Sequence, residues 1–308
     1  ILMVFTGGTI SMKIVPGRGA VPASSGREIL DQVPELAPLA HITCEDFDRL
    51  PGPHWSPERM FELARHVDSR LAGGEFVGAV VTHGTDTLEE TAYLLDLVLR
   101  TDLPVVLTGA MKTADDPAWD GPGNLIASVR AVTAWREGDA RVTVMMAETL
   151  HAAREVVKSH TDAWNAFTSS GEAAPVRERI ATERVESRVE LVAAYAGADA
   201  KFLRHAVATG ARGIVLSAMG RGNVPPAMLA GVREAVATGV VVVVASRCGH
   251  GRTAPRYGYE GGGVTLQDAG AIFSGDLPAP KARIKLMALL GAGCSVEAIR
   301  ECFERPDS

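Results

Sequence analysis

Cysteine is scarce. The 308-residue chain has four, Cys44, Cys248, Cys294 and Cys302, widely scattered and without a C-x-x-C pair. That excludes a disulfide scaffold and reads as the reduced thiols of a cytoplasmic protein. Cys248-Gly249-His250 lacks the partners of a tetrahedral site, so no metal is expected. A basic surplus is missing too. The net charge of −6 argues against nucleic acid or an anionic membrane surface as partner. The longest all-valine run, residues 240–244, is far short of the roughly 20 apolar residues that cross a bilayer. No basic stretch followed by an apolar segment and a cleavage site marks a signal peptide. What remains, 46% hydrophobic and 22% charged, is an ordinary globular composition, long enough for two domains.

What the chain does carry is a strand that runs into a hydroxyl-bearing turn. Residues 1–5 are apolar and mostly bulky, which predicts a buried parallel strand. Thr6-Gly7-Gly8-Thr9-Ile10-Ser11 follows, its glycines freeing the backbone where the strand must turn. Thr6 and Thr9 flank the glycines, so a hydroxyl is presented from an uncrowded backbone, as a weak nucleophile requires. The turn fits neither G-x-G-x-x-G nor G-x-x-x-x-G-K-[ST], which sets aside dinucleotide and phosphate-loop readings. A second apolar stretch, 76–81, runs into Thr82-His83-Gly84-Thr85-Asp86-Thr87, and a third, 104–107, into Thr108-Gly109-Ala110-Met111.

Strand, polar glycine-containing turn and helix therefore recur. The pattern predicts an α/β fold: a doubly wound, mainly parallel sheet in a larger N-terminal domain, residues 1–185, then a smaller α/β C-terminal domain, residues 186–308. Ser56-Pro57-Glu58 opens a helix that runs to about Leu71. Residues 12–26, with Pro16, Gly17 and Gly19, read as a mobile loop placed to act as a lid. Residues 148–182 read as hairpins and loops. The second domain is expected to hold strands at 189–194, 213–217 and 240–245 and helices at 198–209, 226–238, 280–290 and 295–303. Ligands of such sheets collect beyond the carboxyl ends of the strands, where Thr9, Thr85 and Asp86 fall.

Val157-Lys158-Ser159 adds a lysine beside an apolar residue. A threonine hydroxyl is inert at neutral pH and needs a nearby base or a favourable field. Lysine can serve where burial or a neighbouring cation lowers its pKa. Asp86 offers a fixed negative charge, suited to an α-ammonium group or to orienting the lysine.

On these motifs the chain resembles the bacterial-type L-asparaginase/glutaminase family of amidohydrolases. Thr6 to Ser11 matches the first family signature, and Gly78 through His83-Gly84-Thr85-Asp86-Thr87-Leu88 the second. Thr108-Gly109-Ala110-Met111, Asp120-Gly121-Pro122 and Asn124-Leu125 resemble its third strand and helix; Ser246-Arg247 and Lys281-Ala282-Arg283 resemble its C-terminal domain. The resemblance implies that Thr9 attacks the side-chain amide of a small amino-acid amide and releases ammonia. Water, positioned with help from Thr85 and Lys158, then hydrolyses the acyl-enzyme. It further implies that Asp86 takes the α-amino group, that Gly84 and Ala110 line the substrate, and that no cofactor is needed. Asn223, in Gly220-Arg221-Gly222-Asn223, matches an asparagine that completes the neighbouring subunit's site, so a homodimer or homotetramer is implied.

Two departures stand out. Members carry a tyrosine on the loop after the first signature, whereas residues 12–26 hold none; the tyrosines are Tyr93, Tyr195, Tyr257 and Tyr259. Tyr259 or Glu260 is expected to substitute. At Glu45-Asp46-Phe47-Asp48, Phe47 stands where members place a serine and Asp48 where they grip the substrate's α-groups. An L-asparaginase is the first reading; the hydroxyl lost at Phe47 leaves open the same chemistry on L-glutamine or a D-amino-acid amide, and the absent loop tyrosine a weakly active amino-acid-binding homologue.

Overall fold

The computed structural model describes residues 1–169 and 178–304. It divides into two compact units, Ile1–Arg179 and Ile180 onward. The division falls six residues before the expected 185/186 boundary.

The first unit runs β1 (Leu2–Gly7), β2 (Met12–Val15), β3 (Gly19–Pro22), α1 (Gly26–Asp31), β4 (Thr43–Leu50), α2 (Pro57–Leu71), β5 (Ala79–Thr82), α3 (Leu88–Val98), β6 (Val105–Thr108), α4 (Gly121–Ala134), β7 (Val142–Met146), β8 (Thr149–Ala152), β9 (Val157–Lys158) and β10 (Phe167–Thr168). Its main sheet has the order β4-β1-β5-β6-β7-β8 and is parallel except for β8. β1, β5, β6 and β7 are buried along their whole length, as strands covered on both faces must be. On one face Met3, Phe5, Val80 and Val106 pack against Ile29 of α1 and Leu125, Val129 and Val132 of α4. α2 and α3 pack together on the other, burying Leu63, Val67, Leu94 and Leu95. Ser56 caps α2 by accepting the Arg59 N–H at 3.2 Å, with Pro57 in the first turn.

Residues 12–26 are not a loop. Residues 12–22 form the β2–β3 hairpin, with Met12 opposite Pro22 and Val15 opposite Gly19, and residues 23–25 lead into α1. The prolines and glycines that suggest a loop instead build its tight turn: Arg18 N–H donates to Val15 O at 3.0 Å, and Gly17 and Gly19 take φ of 75° and 74°. The hairpin is tied to the chain after β6 by Ala114 N–H to Met12 O (2.9 Å) and Ile14 N–H to Asp115 Oδ2 (2.8 Å). Ser25 and Glu28 then close a capping box at the start of α1.

Within residues 148–182, where hairpins and loops are expected, β9 and β10 pair as a hairpin and β8 folds back antiparallel on β7; the part of that reading on 170–177 lies outside the described residues.

The second unit runs β11 (Val189–Ala193), α5 (Lys201–Ala208), β12 (Gly213–Ala218), α6 (Pro226–Ala237), β13 (Val241–Ser246), α7 (Gly263–Asp268), β14 (Ile272–Phe273), α8 (Ala279–Gly291) and α9 (Val296–Glu304). Its four strands form a parallel sheet in sequence order. Ile214, Leu216, Val242 and Val244 pack there against Leu203 of α5 and Met228, Leu229 and Val232 of α6.

Candidate active site

At the carboxyl end of the first unit's sheet, three turns meet backbone to backbone. β1 ends in Gly7 and Gly8, with φ of 101° and 82°, values that side chains rarely adopt. A Cβ at position 8 would lie 2.5 Å from the Gly84 nitrogen, and one at position 84 would lie 2.5 Å from the Gly52 nitrogen. Glycine at these places lets the turns after β1, β5 and β4 stack with no side chain between them. Thr9 opens the short 3-10 turn Thr9–Ser11 directly after Gly8, held by Ser11 N–H (3.0 Å) and Ser11 Oγ (2.9 Å) donating to Gly8 O. The turn after β6, which carries Ala110, closes on the same group. A Cβ on Gly109 would sit 2.6 Å from His83 O and 3.4 Å from Thr85 Cγ2.

The β5 turn meets the β9 lysine. Lys158 Nζ donates to Thr85 Oγ1 at 2.9 Å and to Asp86 Oδ1 at 2.7 Å. Thr85 is 6% exposed, while the Asp86 side chain is 58% exposed. A hydroxyl is thus held by an ammonium at the inner end and a carboxylate faces outward. The Lys158 N–H donates to Glu89 Oε2 at 2.6 Å. Glu89 lies in the first turn of α3, where the helix N-terminus favours a carboxylate, so it fixes the lysine's backbone from a stable position.

His83 lies fully buried behind this turn. Its Nδ1 faces Gly84 O at 2.9 Å and must carry the proton; Nε2, 3.0 Å from Thr91 Oγ1, accepts that hydroxyl. Trp55 packs against the ring, with centroids 4.6 Å apart. Burial pushes the imidazole down to about 4, only partly offset by the bond to Gly84 O. It is a neutral strut.

Phe47 and Asp48 belong to a neighbouring cluster. Phe5 pairs with Asp46 but Gly7 with Leu50, so β4 carries extra residues between them. The bulge sends Phe47 and Asp48 toward α2, where Arg59 Nε and Nη2 grip Asp48 Oδ2 at 2.8 and 2.7 Å. The Arg59 guanidinium also covers the Phe47 ring at 4.2 Å, and Trp55 stacks on it at 6.4 Å. The residue beyond β4 that reaches Gly84 and Asp86 is Gly52, a position for which sequence spacing holds no signal.

Residues 1–192 match the family described as Asparaginase, N-terminal, and residues 188–303 the Glutaminase/Asparaginase C-terminal domain. The chain belongs to the asparaginase family. It is 38% identical to a probable L-asparaginase of Deinococcus radiodurans, over 98% of this chain and 96% of that one. It is 33% identical to an L-asparaginase of Bacillus licheniformis, over 95% of each. A component of the glutamyl-tRNA(Gln) amidotransferase of Archaeoglobus fulgidus is 32% identical over 98% of this chain and 77% of its own. In fold it is similar to the crystal structure of a probable cytoplasmic L-asparaginase from Campylobacter jejuni, with a TM-score of 0.87 and 27% identity over 98% of both chains. The chain is an amidohydrolase.

The remaining expected site residues lie in the second unit. Asn223 closes the turn after β12: its N–H donates to Met219 O at 2.9 Å and its Oδ1 accepts the Gly263 N–H at 3.3 Å. Tyr259 is exposed and stacks on Tyr257 with centroids 5.6 Å apart, next to the exposed Glu260. Within the first unit, Glu89 and Asn124 brace the turns of this cluster, and sequence reasoning gives neither of them that part. Glu89 follows the asparaginase second signature at once, and Asn124 falls in the stretch that resembles the family's third helix; neither signal by itself gives the residue a part in the cluster.

Proposed function

We propose that the protein is an L-asparaginase acting through an acyl-enzyme on Thr9. Thr9 Oγ1 bonds to the amide carbon of L-asparagine, and its proton passes to the amide nitrogen as the C–N bond breaks and ammonia leaves. Water then adds to the ester carbon, the C–O bond to Thr9 breaks, and the hydroxyl regains its proton as aspartate departs. Thr85 and Lys158 carry the proton transfers and align the water. Asp86 receives the substrate's α-ammonium, and Gly84 and Ala110 border the side-chain amide. The observation that carries this reading is the Lys158 ammonium, bonded to both Thr85 and Asp86 on a turn whose glycine packs against the one preceding Thr9.

The working unit is a homodimer or homotetramer, with Asn223 completing the neighbour's site and Tyr259 or Glu260 supplying the group that the first hairpin lacks. A cytoplasmic setting agrees with the description of the Campylobacter relative. Among the described residues no helix is long and apolar enough to cross a membrane.

Ammonia release from L-asparagine, L-glutamine and D-asparagine, measured side by side, tests the substrate. The highest kcat/KM is expected on L-asparagine. A preference for either other amide replaces the substrate, and aspartate binding with no turnover of any of the three overturns the reading.

A further inference from the structure

Asn124 is 2% exposed in the first turn of α4, and its amide is fully engaged. Nδ2 donates to Gly109 O at 3.0 Å and to Asp120 Oδ2 at 3.1 Å, while Oδ1 accepts the Ala147 N–H at 3.1 Å. Two acceptors on one side and a donor on the other leave a single orientation and require an amide; a carboxylate here would face Gly109 O and the Asp120 carboxylate. Asp120 in turn accepts the N–H groups of Met111 (3.0 Å) and Lys112 (2.9 Å), so the pair clamps the whole turn after β6.

Each end of this clamp leads to the working cluster. Gly109 runs so close to His83 O and the Thr85 methyl that a Cβ there would lie 2.6 and 3.4 Å from them, so its backbone walls in the Thr85 side chain. Ala147 and Glu148, with φ of 49° and 59°, form a left-handed pair that non-glycine residues adopt rarely. That pair reverses the chain from β7 into β8, and β8 leads on to β9 and Lys158. One buried amide therefore ties the wall behind Thr85 to the origin of the segment that delivers Lys158.

We propose that Asn124 is a positioning residue that sets the Thr85–Lys158 alignment by bridging the turns after β6 and β7. This rests on the reading of Thr85 and Lys158 as working groups. Misplacement by a fraction of an ångström costs rate rather than binding, because proton transfer depends steeply on alignment.

The experiment is a double-mutant cycle on ammonia release with Asn124→Ala, Lys158→Met and the two combined, with thermal melting of each protein. Asn124→Ala is expected to lower kcat by about 10-fold or more with KM within about threefold. The double variant is expected to be no slower than Lys158→Met alone, since a residue that acts through the lysine has nothing left to align. Multiplying losses, or an unchanged kcat in a folded Asn124→Ala, overturn the proposal. If Asn124→Ala does not fold, Asn124→Ser takes its place in the same cycle with the same outcomes. A Lys158→Met protein with full activity instead sinks the underlying functional reading, whatever Asn124 does.

Discussion

Lys158 Nζ lies 2.9 Å from Thr85 Oγ1 and 2.7 Å from Asp86 Oδ1, so one ammonium holds two adjacent functional groups of a single turn. Because the ammonium donates to Thr85, the threonine's own proton is left to point toward a water or an attacking hydroxyl. Lys158→Met and Thr85→Val are each expected to lower kcat by about 100-fold or more, and the two together little further, since the pair acts as a unit. Thr9→Ala is expected to abolish acyl-enzyme formation. Steady-state ammonia release checks all four; turnover within about threefold of wild type in any single variant removes that residue from the mechanism.

Packing of the glycines gives a prediction that involves no chemistry. A methyl at position 84 would meet the Gly52 backbone at 2.5 Å, where no flexible side chain can give way. Gly84→Ala is expected to cost about 3 kcal/mol and to lower the melting temperature by roughly 6–12 °C. Gly123→Ala, whose nearest neighbour is the end of the Glu148 side chain at 3.9 Å, serves as the control and should melt close to wild type. Equal melting of the two variants would show that the turns are not held in contact.

The parallel strands are legible in the sequence because burial on both faces demands unbroken apolar runs such as 79–81 and 105–107. The Thr9 and Thr85 turns are legible because glycine and threonine cluster at the ends of those runs. Lys158 has no such mark. It sits on the two-residue strand β9, too short for any periodicity, so the residues offer only a lysine beside an apolar neighbour and the resemblance supplies its role. The hairpin at 12–22 hides because Pro16, Gly17 and Gly19 serve a three-residue turn as readily as a loop. Phe47 and Asp48 come up as substrate contacts through the resemblance, and the β4 bulge that turns them toward Arg59 cannot be seen without its partner strand. α7 and β14, six and two residues long, fall below the length at which a pattern can repeat.

The bulge leads to a split between two neighbouring positions. Asp48 is held by Arg59, so Asp48→Asn is expected to cost about 1 kcal/mol of stability and to leave KM within about threefold. Gly52 borders Asp86, the carboxylate proposed to take the α-ammonium: a Cβ there would lie 3.2 Å from Asp86 Cβ. Gly52→Ala is expected to push Asp86 aside and raise KM by about 10-fold while the fold holds, a misplacement effect. The reverse pattern, with KM moved by Asp48→Asn alone, would return the α-group grip to Asp48.

Buried His83 makes stability depend on pH in a direction that can be worked out. In the unfolded chain the imidazole titrates near 6.5, whereas in the fold burial holds it at about 4. Between these values the unfolded chain binds a proton that the folded chain refuses. Stability from this residue is therefore complete above pH 6.5 and lost as the pH falls toward 4, by about 3 kcal/mol in all. His83→Gln cannot titrate and lacks this component, although it loses packing against Trp55 at every pH. Urea unfolding of both proteins at pH 7 and pH 4.5 isolates the effect, with the wild type expected to lose more stability between the two conditions than His83→Gln. Equal losses would mean that the imidazole gains its charge inside the fold, and that Thr91 and Gly84 O do not hold it as a neutral strut.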